Sequence, residues 1–251
     1  MTRTNLLSAV LSPNGWYCVV GLKKTGHPRQ TFVQDLAGVE LETETLLAEG
    51  YDVYFACAKY KESGARTNDN VGDIQSFWLD IDCGEGKPYE TQGDGADALR
   101  GFCRTVGLPK PWVVNSGRGL HVYWPLTEPV SRQDWLPVAK RLKALCVEHN
   151  LEADPSRTAD AASILRTPDT LNHKVSPALK VKLWMEGATT PFEKFRSAVG
   201  AMEAAPDYIP TFADNMTKAL MGNRQHRFDT ILTRNTNGTG CLQLRSEEHT
   251  S

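Results

Sequence analysis

Two carboxylates one residue apart, Asp80 and Asp82, stand in the segment Phe77-Trp78-Leu79-Asp80-Ile81-Asp82-Cys83. Its aromatic and branched-aliphatic content predicts a strand, in which successive side chains point to opposite faces. Phe77, Leu79 and Ile81 then share one face, and Trp78, Asp80 and Asp82 the other. At a rise of about 3.4 Å per residue the two acids sit roughly 7 Å apart, and like charges so placed on a core strand call for a cation between them. Hard oxygen donors suit Mg²⁺ or Mn²⁺, and a pair of such ions is the usual clamp for in-line displacement at phosphorus. A strand end with solvated acids explains an isolated Asp-x-Asp at least as well, since Asp82 runs into the loop-like Cys83-Gly84-Glu85-Gly86. The decision rests on what lies downstream.

Three later segments bear on it. In Ser116-Gly117-Arg118-Gly119-Leu120-His121, the glycines would let backbone N–H groups approach an anion, Arg118 adds a charged fork, and His121 opens the next strand within reach of a phosphate oxygen. A plain hairpin turn with a structural histidine is the competing reading. Asp154 follows a long helical pattern and could complete a three-carboxylate metal site, although an Asp before Pro155 is commonly a turn residue. Arg166, Asn172 and Lys174 fall close together among turn formers, where they could grip a triphosphate or belong to a solvated loop. Arg166 sits in an apolar setting, where an unpaired guanidinium would be costly.

The elements that must position these groups follow from periodicity. Strands are predicted over 16–22 and 30–34, as a hairpin, and over 52–59; a helix is predicted over 38–49, ending at Gly50. A polar loop at 63–72 leads into the acidic strand. Beyond it come a helix over 94–106, strands over 112–115 and 120–125, and a long amphipathic helix opened by Ser131 with Asp134 three residues on. Strands over 164–166 and 179–185 and a short helix over 191–199 complete the pattern. The mixture implies an α+β or mixed α/β domain. We assign 1–200 to it, 201–224 to a linker, 225–244 to the start of a truncated C-terminal unit, and 245–251 (RSEEHTS) to a non-native, adapter-derived tail.

Composition sets outer bounds. The chain has 251 residues, 40 % of them hydrophobic, and a formal charge of −2, so any nucleic-acid contact must come from a local basic patch. The six cysteines form no Cys-x-x-Cys pair, which argues against a zinc site or disulfide framework and for reduced core residues. Neither a secretion signal nor an apolar membrane span is present in the sequence, so a cytoplasmic location is expected.

Taken in order, the Asp-x-Asp strand, the Ser-Gly-x-Gly-x-His turn, the late Asp154 and the Leu165-Arg166-x-Pro168-x-Thr170-x-Asn172-x-Lys174 segment resemble the archaeo-eukaryotic primase (AEP) superfamily, in particular primase-polymerases of phages and plasmids. The match runs over about 51–183. The resemblance implies an α+β fold, with an RRM-like sheet in a catalytic core packed against a smaller α/β subdomain. It implies two Mg²⁺ or Mn²⁺ ions on Asp80, Asp82 and Asp154, and contacts to the incoming NTP or dNTP from Ser116, Gly117, Arg118, Gly119 and His121, supported by Arg166, Asn172 and Lys174. Single-stranded DNA template and primer would be the partners, with a helicase module in the missing C-terminal part or in trans, and no membrane. Lys59, Arg66 and Lys182 are the cations named for the template phosphates. Asp169 departs from the pattern, since relatives commonly carry Gly there, and it adds a negative charge near a phosphate site. Two other readings stay open: a non-catalytic RRM-like nucleic-acid-binding module, and another Asp-x-Asp metal-dependent phosphotransferase.

Overall fold

The order of elements is α1 (Arg3–Val10), β1 (Tyr17–Leu22), β2 (Arg29–Val33), α2 (Leu36–Ala48), β3 (Asp52–Ala56), β4 (Ile74–Asp82), α3 (Gln92–Val106), β5 (Trp112–Asn115), β6 (Gly119–Val130), α4 (Arg132–Glu148), α5 (Pro155–Thr158), β7 (Ile164–Arg166), β8 (Leu171–Asn172), β9 (Leu179–Lys180), β10 (Lys182–Met185) and α6 (Phe192–Val199). This is the order in the computed structural model, which describes residues 2–201. The linker, the truncated unit and the tail expected beyond 201 lie outside the described residues.

Helix starts are set by side-chain caps. Asp35 accepts from the Gly38 N–H and begins α2 two residues ahead of the periodicity; Thr91 and Asp94 form a reciprocal capping box that begins α3 at Gln92. Ser131 caps α4 through the Asp134 N–H, as its spacing predicts. Helix α1 was not anticipated. Its eight residues carry a weak pattern, but Thr2 caps it through Asn5 and it buries Leu6, Leu7 and Val10. The strand expected over 179–185 is divided at Val181 into β9 and β10.

Two four-stranded sheets, ordered β2-β1-β3-β7 and β10-β5-β6-β4, stand with a two-stranded ribbon of β8 and β9. The strand pairings are antiparallel throughout, β1 and β2 forming the expected hairpin, which makes the domain α+β. On one side of the second sheet, Phe77 stacks against Trp135 of α4 at 5.7 Å and Phe195 of α6 at 4.4 Å. On the other side, Tyr123 of β6 stacks on Phe55 of β3 at 6.1 Å, so the two sheets meet there. Phe77, Leu79 and Ile81 are fully buried, each stabilising the fold by about 1.5–3 kcal/mol. The acidic strand is thus anchored by its apolar face. The five cysteines among the described residues are free and buried, and no described helix is long and apolar enough to cross a membrane.

Candidate active site

Where the sheets meet, the acidic face of β4 looks onto β3 and β7. Asp80 lies directly across the ladder from His121 of β6, with the imidazole Nε2 3.7 Å from the carboxylate. Antiparallel register puts cross-strand partners on the same face, so the pairing follows from the two strands alone. Asp80, Asp82 and His121 line a cavity of about 250 Å³, joined by Ser116 and Arg118 from the β5–β6 turn. Arg166, Asn172 and Lys174 line the same cavity from β7, β8 and the residues after β8. Segments spread over more than ninety positions of the chain therefore share one pocket.

Three residues of the expected site are placed differently. Gly117 does not line the cavity: its N–H is held by the Asn115 Oδ1 at 2.7 Å, and its φ of 89° serves the turn. Gly119 does not either; a Cβ there would come 2.2 Å from the Ile81 carbonyl oxygen, so its role is close strand approach. Asp154 does not line the cavity. Its N–H donates to the Asp80 carbonyl at 2.7 Å, while its carboxylate caps α5 by accepting from the N–H and hydroxyl of Ser156 and faces Arg157 at 3.6 Å. Asn172 is buried and spans two segments, donating to the Ser116 carbonyl at 2.8 Å and accepting from the Lys174 N–H at 3.1 Å. That makes it a brace for the turn. Asp169 sits at φ 61°, the left-handed region that glycine favours, and its carboxylate accepts from the Arg3 N–H at 3.1 Å, so its charge is engaged at the start of α1.

Several contributors carried no motif. Asp52, at the start of β3, accepts from Arg166 Nη2 at 2.9 Å and from the His173 N–H at 2.8 Å, with the His173 ring 2.9 Å away. Tyr54, on the same face of β3, lies 4.7 Å under the Arg166 guanidinium. The signal was the alternation of Asp52 and Tyr54 in DVYFA, which puts both on one face. Lys87 and Arg157 also line the pocket, Lys87 bonding Asp82 at 2.6 Å. Of the cations named for a template, Lys59 is tied to Asp73 and to the Pro13 and Asn14 carbonyls, and Arg66 to the Ala162 carbonyl; Lys182 is exposed on β10.

The electrostatics are unbalanced in an informative way. Burial, then the charges of Asp82 and Asp154, push the Asp80 carboxyl up to about 7. Burial, then the cations Arg166, Lys174 and Arg157, hold His121 down to about 3, so its ring is neutral near pH 7. Its Nδ1 has no hydrogen-bond partner, and neither does the buried Nη1 of Arg166. Buried donors left unpaired cost about 1–3 kcal/mol each. An anionic ligand in the cavity would satisfy the guanidinium.

The acids fit a hard divalent cation by donor type and by charge. No described group of three or more His, Cys, Asp and Glu is already closed around a common point. Asp80, however, accepts no hydrogen bond through its carboxylate and is destabilised by two neighbouring acids. A cation would relieve that repulsion, and Asp82 and Asp154 would have to turn from Lys87 and Ser156 to share it.

No protein-family model matches the chain. The multifunctional non-homologous end joining DNA repair protein LigD of Mycobacterium tuberculosis (strain ATCC 25618 / H37Rv) is 36 % identical over 73 residues, 29 % of this chain and 10 % of that protein. Its Mycobacterium bovis counterpart matches equally. The matched stretch therefore spans about a tenth of these relatives. Among solved structures, the AEP domain of the cyanophage S-2L primase-polymerase superposes with a TM-score of 0.54 at 12 % identity, covering 74 % of this chain and 89 % of that one. Primase RepB' gives 0.53 at 13 %, covering 93 % and 67 %; its catalytic domain in complex with initiator DNA gives 0.52 at 16 %, covering 79 % and 89 %. Two antiparallel sheets meet over an acidic strand and superpose on these primase domains over most of their length, so the chain shares their fold.

Proposed function

We propose that the chain is a DNA primase-polymerase, which adds nucleotides to a 3′-hydroxyl on a single-stranded DNA template in phage or plasmid replication. The observation that carries this reading is the cavity, which gathers two strand carboxylates, a neutral histidine, three arginines and two lysines. Acids that could hold a cation beside cations that could hold an anion suit a metal-bound triphosphate. The DNA partner is supported by the fold shared with a primase crystallised on initiator DNA.

In the reaction the 3′-oxygen bonds to the α-phosphorus, pyrophosphate leaves, and the hydroxyl proton passes to solvent. Asp80, Asp82 and Asp154 would hold two Mg²⁺ or Mn²⁺ ions, which supply activation of the hydroxyl and neutralisation of phosphate charge when bound. Arg166 presents its free Nη1 to the triphosphate while Asp52 fixes its other nitrogen and Tyr54 backs the guanidinium plane. Neutral His121 would donate one hydrogen bond without adding charge beside Asp80, and Arg118 and Lys174 add two further cations to the lining. Asn172 keeps the Ser116 turn and the Lys174 segment in register with each other.

The test is a gel assay with labelled NTPs or dNTPs, a single-stranded template with and without primer, and Mn²⁺ or Mg²⁺. We expect products from the wild-type chain and none from the Asp80→Ala/Asp82→Ala double variant. Wild-type-rate synthesis by that variant would remove the metal assignment. DNA binding without metal-dependent triphosphate binding in calorimetry would favour a binding module.

A further inference from the structure

A second concavity lies behind the second sheet. Val113 neighbours Val114, the cross-strand partner of His121, so Val113 and its own partner Met185 point to the face opposite the candidate active site. There α3 and the edge strand β10 leave a groove of about 550 Å³. Its floor is aliphatic, built from Leu99, Cys103, Leu108, Val113 and Met185. At its lip stands Trp184, 43 % exposed and the one aromatic among the exposed large hydrophobic side chains of the described residues. Arg100, Arg104 and Lys110 also line the groove, and no Asp or Glu does. Within a chain of formal charge −2, this is a concentration of one sign around an apolar slot.

We propose that this groove docks an acidic amphipathic segment of a partner protein, one that inserts Leu or Phe side chains over Leu99 and Met185 and sets its carboxylates against Arg104 and Lys110. The volume falls in the usual range for ligand-holding pockets, and apolar anchors at helical spacing are the recurrent way an apolar groove is filled. Charge complementarity decides the flanking residues: Arg100 is already paired with Asp97, and a neutral or basic segment would leave Arg104 and Lys110 facing apolar or like-charged neighbours. Nucleic acid fits less well: sequence-tolerant strand binding stacks successive bases on several aromatics, and Trp184 stands alone over an aliphatic floor. A partner seated here would leave the catalytic cavity open, since the sheet separates the two. The inference therefore stands apart from the proposed reaction.

The test uses the full chain and fluorescence anisotropy with three labelled probes. These are a synthetic peptide with Leu and Phe at i, i+3 and i+4 positions and Asp or Glu between them, a scrambled peptide of the same composition, and an oligothymidylate. The patterned peptide should bind saturably and at least about tenfold more tightly than the scrambled one. Arg104→Glu/Lys110→Glu should weaken it about tenfold or more, and Trp184→Ala should also weaken it, with unfolding temperature unchanged in both variants. Absence of saturable binding, equal binding of the scrambled peptide, or affinity untouched by both variants would overturn the proposal. Loss of oligothymidylate binding in these variants, without competition from the peptide, would assign the groove to nucleic acid instead.

Discussion

Replacing Asp80 by Asn should stabilise the metal-free protein while abolishing synthesis. The Asp80 carboxyl rises from its ordinary value of 3.8 to about 7 in the fold, first through burial and then through Asp82 and Asp154. A raised carboxyl means that the native state disfavours the charged form. The protein therefore loses stability from this group as pH climbs from about 4 to about 7, and at lower pH the penalty is absent. That rise corresponds to a ceiling of about 4 kcal/mol. With 21 % of the side chain open to water, about 2–4 kcal/mol is the range to expect. Asn has nearly the same shape, carries no charge, and breaks no hydrogen bond that Asp80 accepts. At pH 8 in EDTA, Asp80→Asn should therefore unfold at a temperature on the order of 5–15 °C above wild type, and near pH 4 the difference should vanish. Urea unfolding at the two pH values checks the sign, and added Mn²⁺ should raise the wild type alone. A variant no more stable than wild type at pH 8, or equally stabilised at both pH values, would refute the reasoning.

The other expectations can be tested alongside it. Asp52→Asn removes the charge that fixes Arg166 and the His173 segment, so KM for the triphosphate should rise about tenfold or more with kcat less affected, as single-turnover kinetics would show. Mn²⁺ binding to the metal-free chain should weaken as the pH drops below about 7, where a proton competes for Asp80, and His121→Gln should leave that dependence in place because His121 ionises only near pH 3, as calorimetry at several pH values would show. Gly119→Ala drives a methyl group to 2.2 Å from the Ile81 carbonyl oxygen, so the β4–β6 ladder must separate locally, and the unfolding temperature should fall by several degrees in calorimetry.

Much of this architecture could be read from local patterns, because the residues that decide it are strong local signals. The alternation in Phe77–Asp82 determined which face of β4 carries the acids, and the cap at Ser131 is encoded within four residues, whereas the one at Thr91, which starts α3 two residues before the expected 94, went unread. Short elements escaped for the converse reason. Helix α1 buries Leu6 and Leu7 through tertiary contacts that an eight-residue window does not reveal, and α5 is a single turn started by the Asp154-Pro155 pair that otherwise reads as a bend. Motifs were enough to single out eight of the residues that share the cavity, but not Asp52: an acid at a strand start looks like a boundary until β7 brings Arg166 beside it. The glycines at 117 and 119 showed the opposite limit. Their freedom was evident, but whether it served an anion or a neighbouring strand depended on which backbone came close.

The attachment of α5 has a mechanical corollary. Four residues make no helix that stands by itself, and this one is fastened at both ends to the acidic strand: the Asp154 amide to the Asp80 carbonyl, the Trp78 indole to the Arg157 carbonyl. The third acid consequently rides with β4 and not with the long helix that precedes it in the chain.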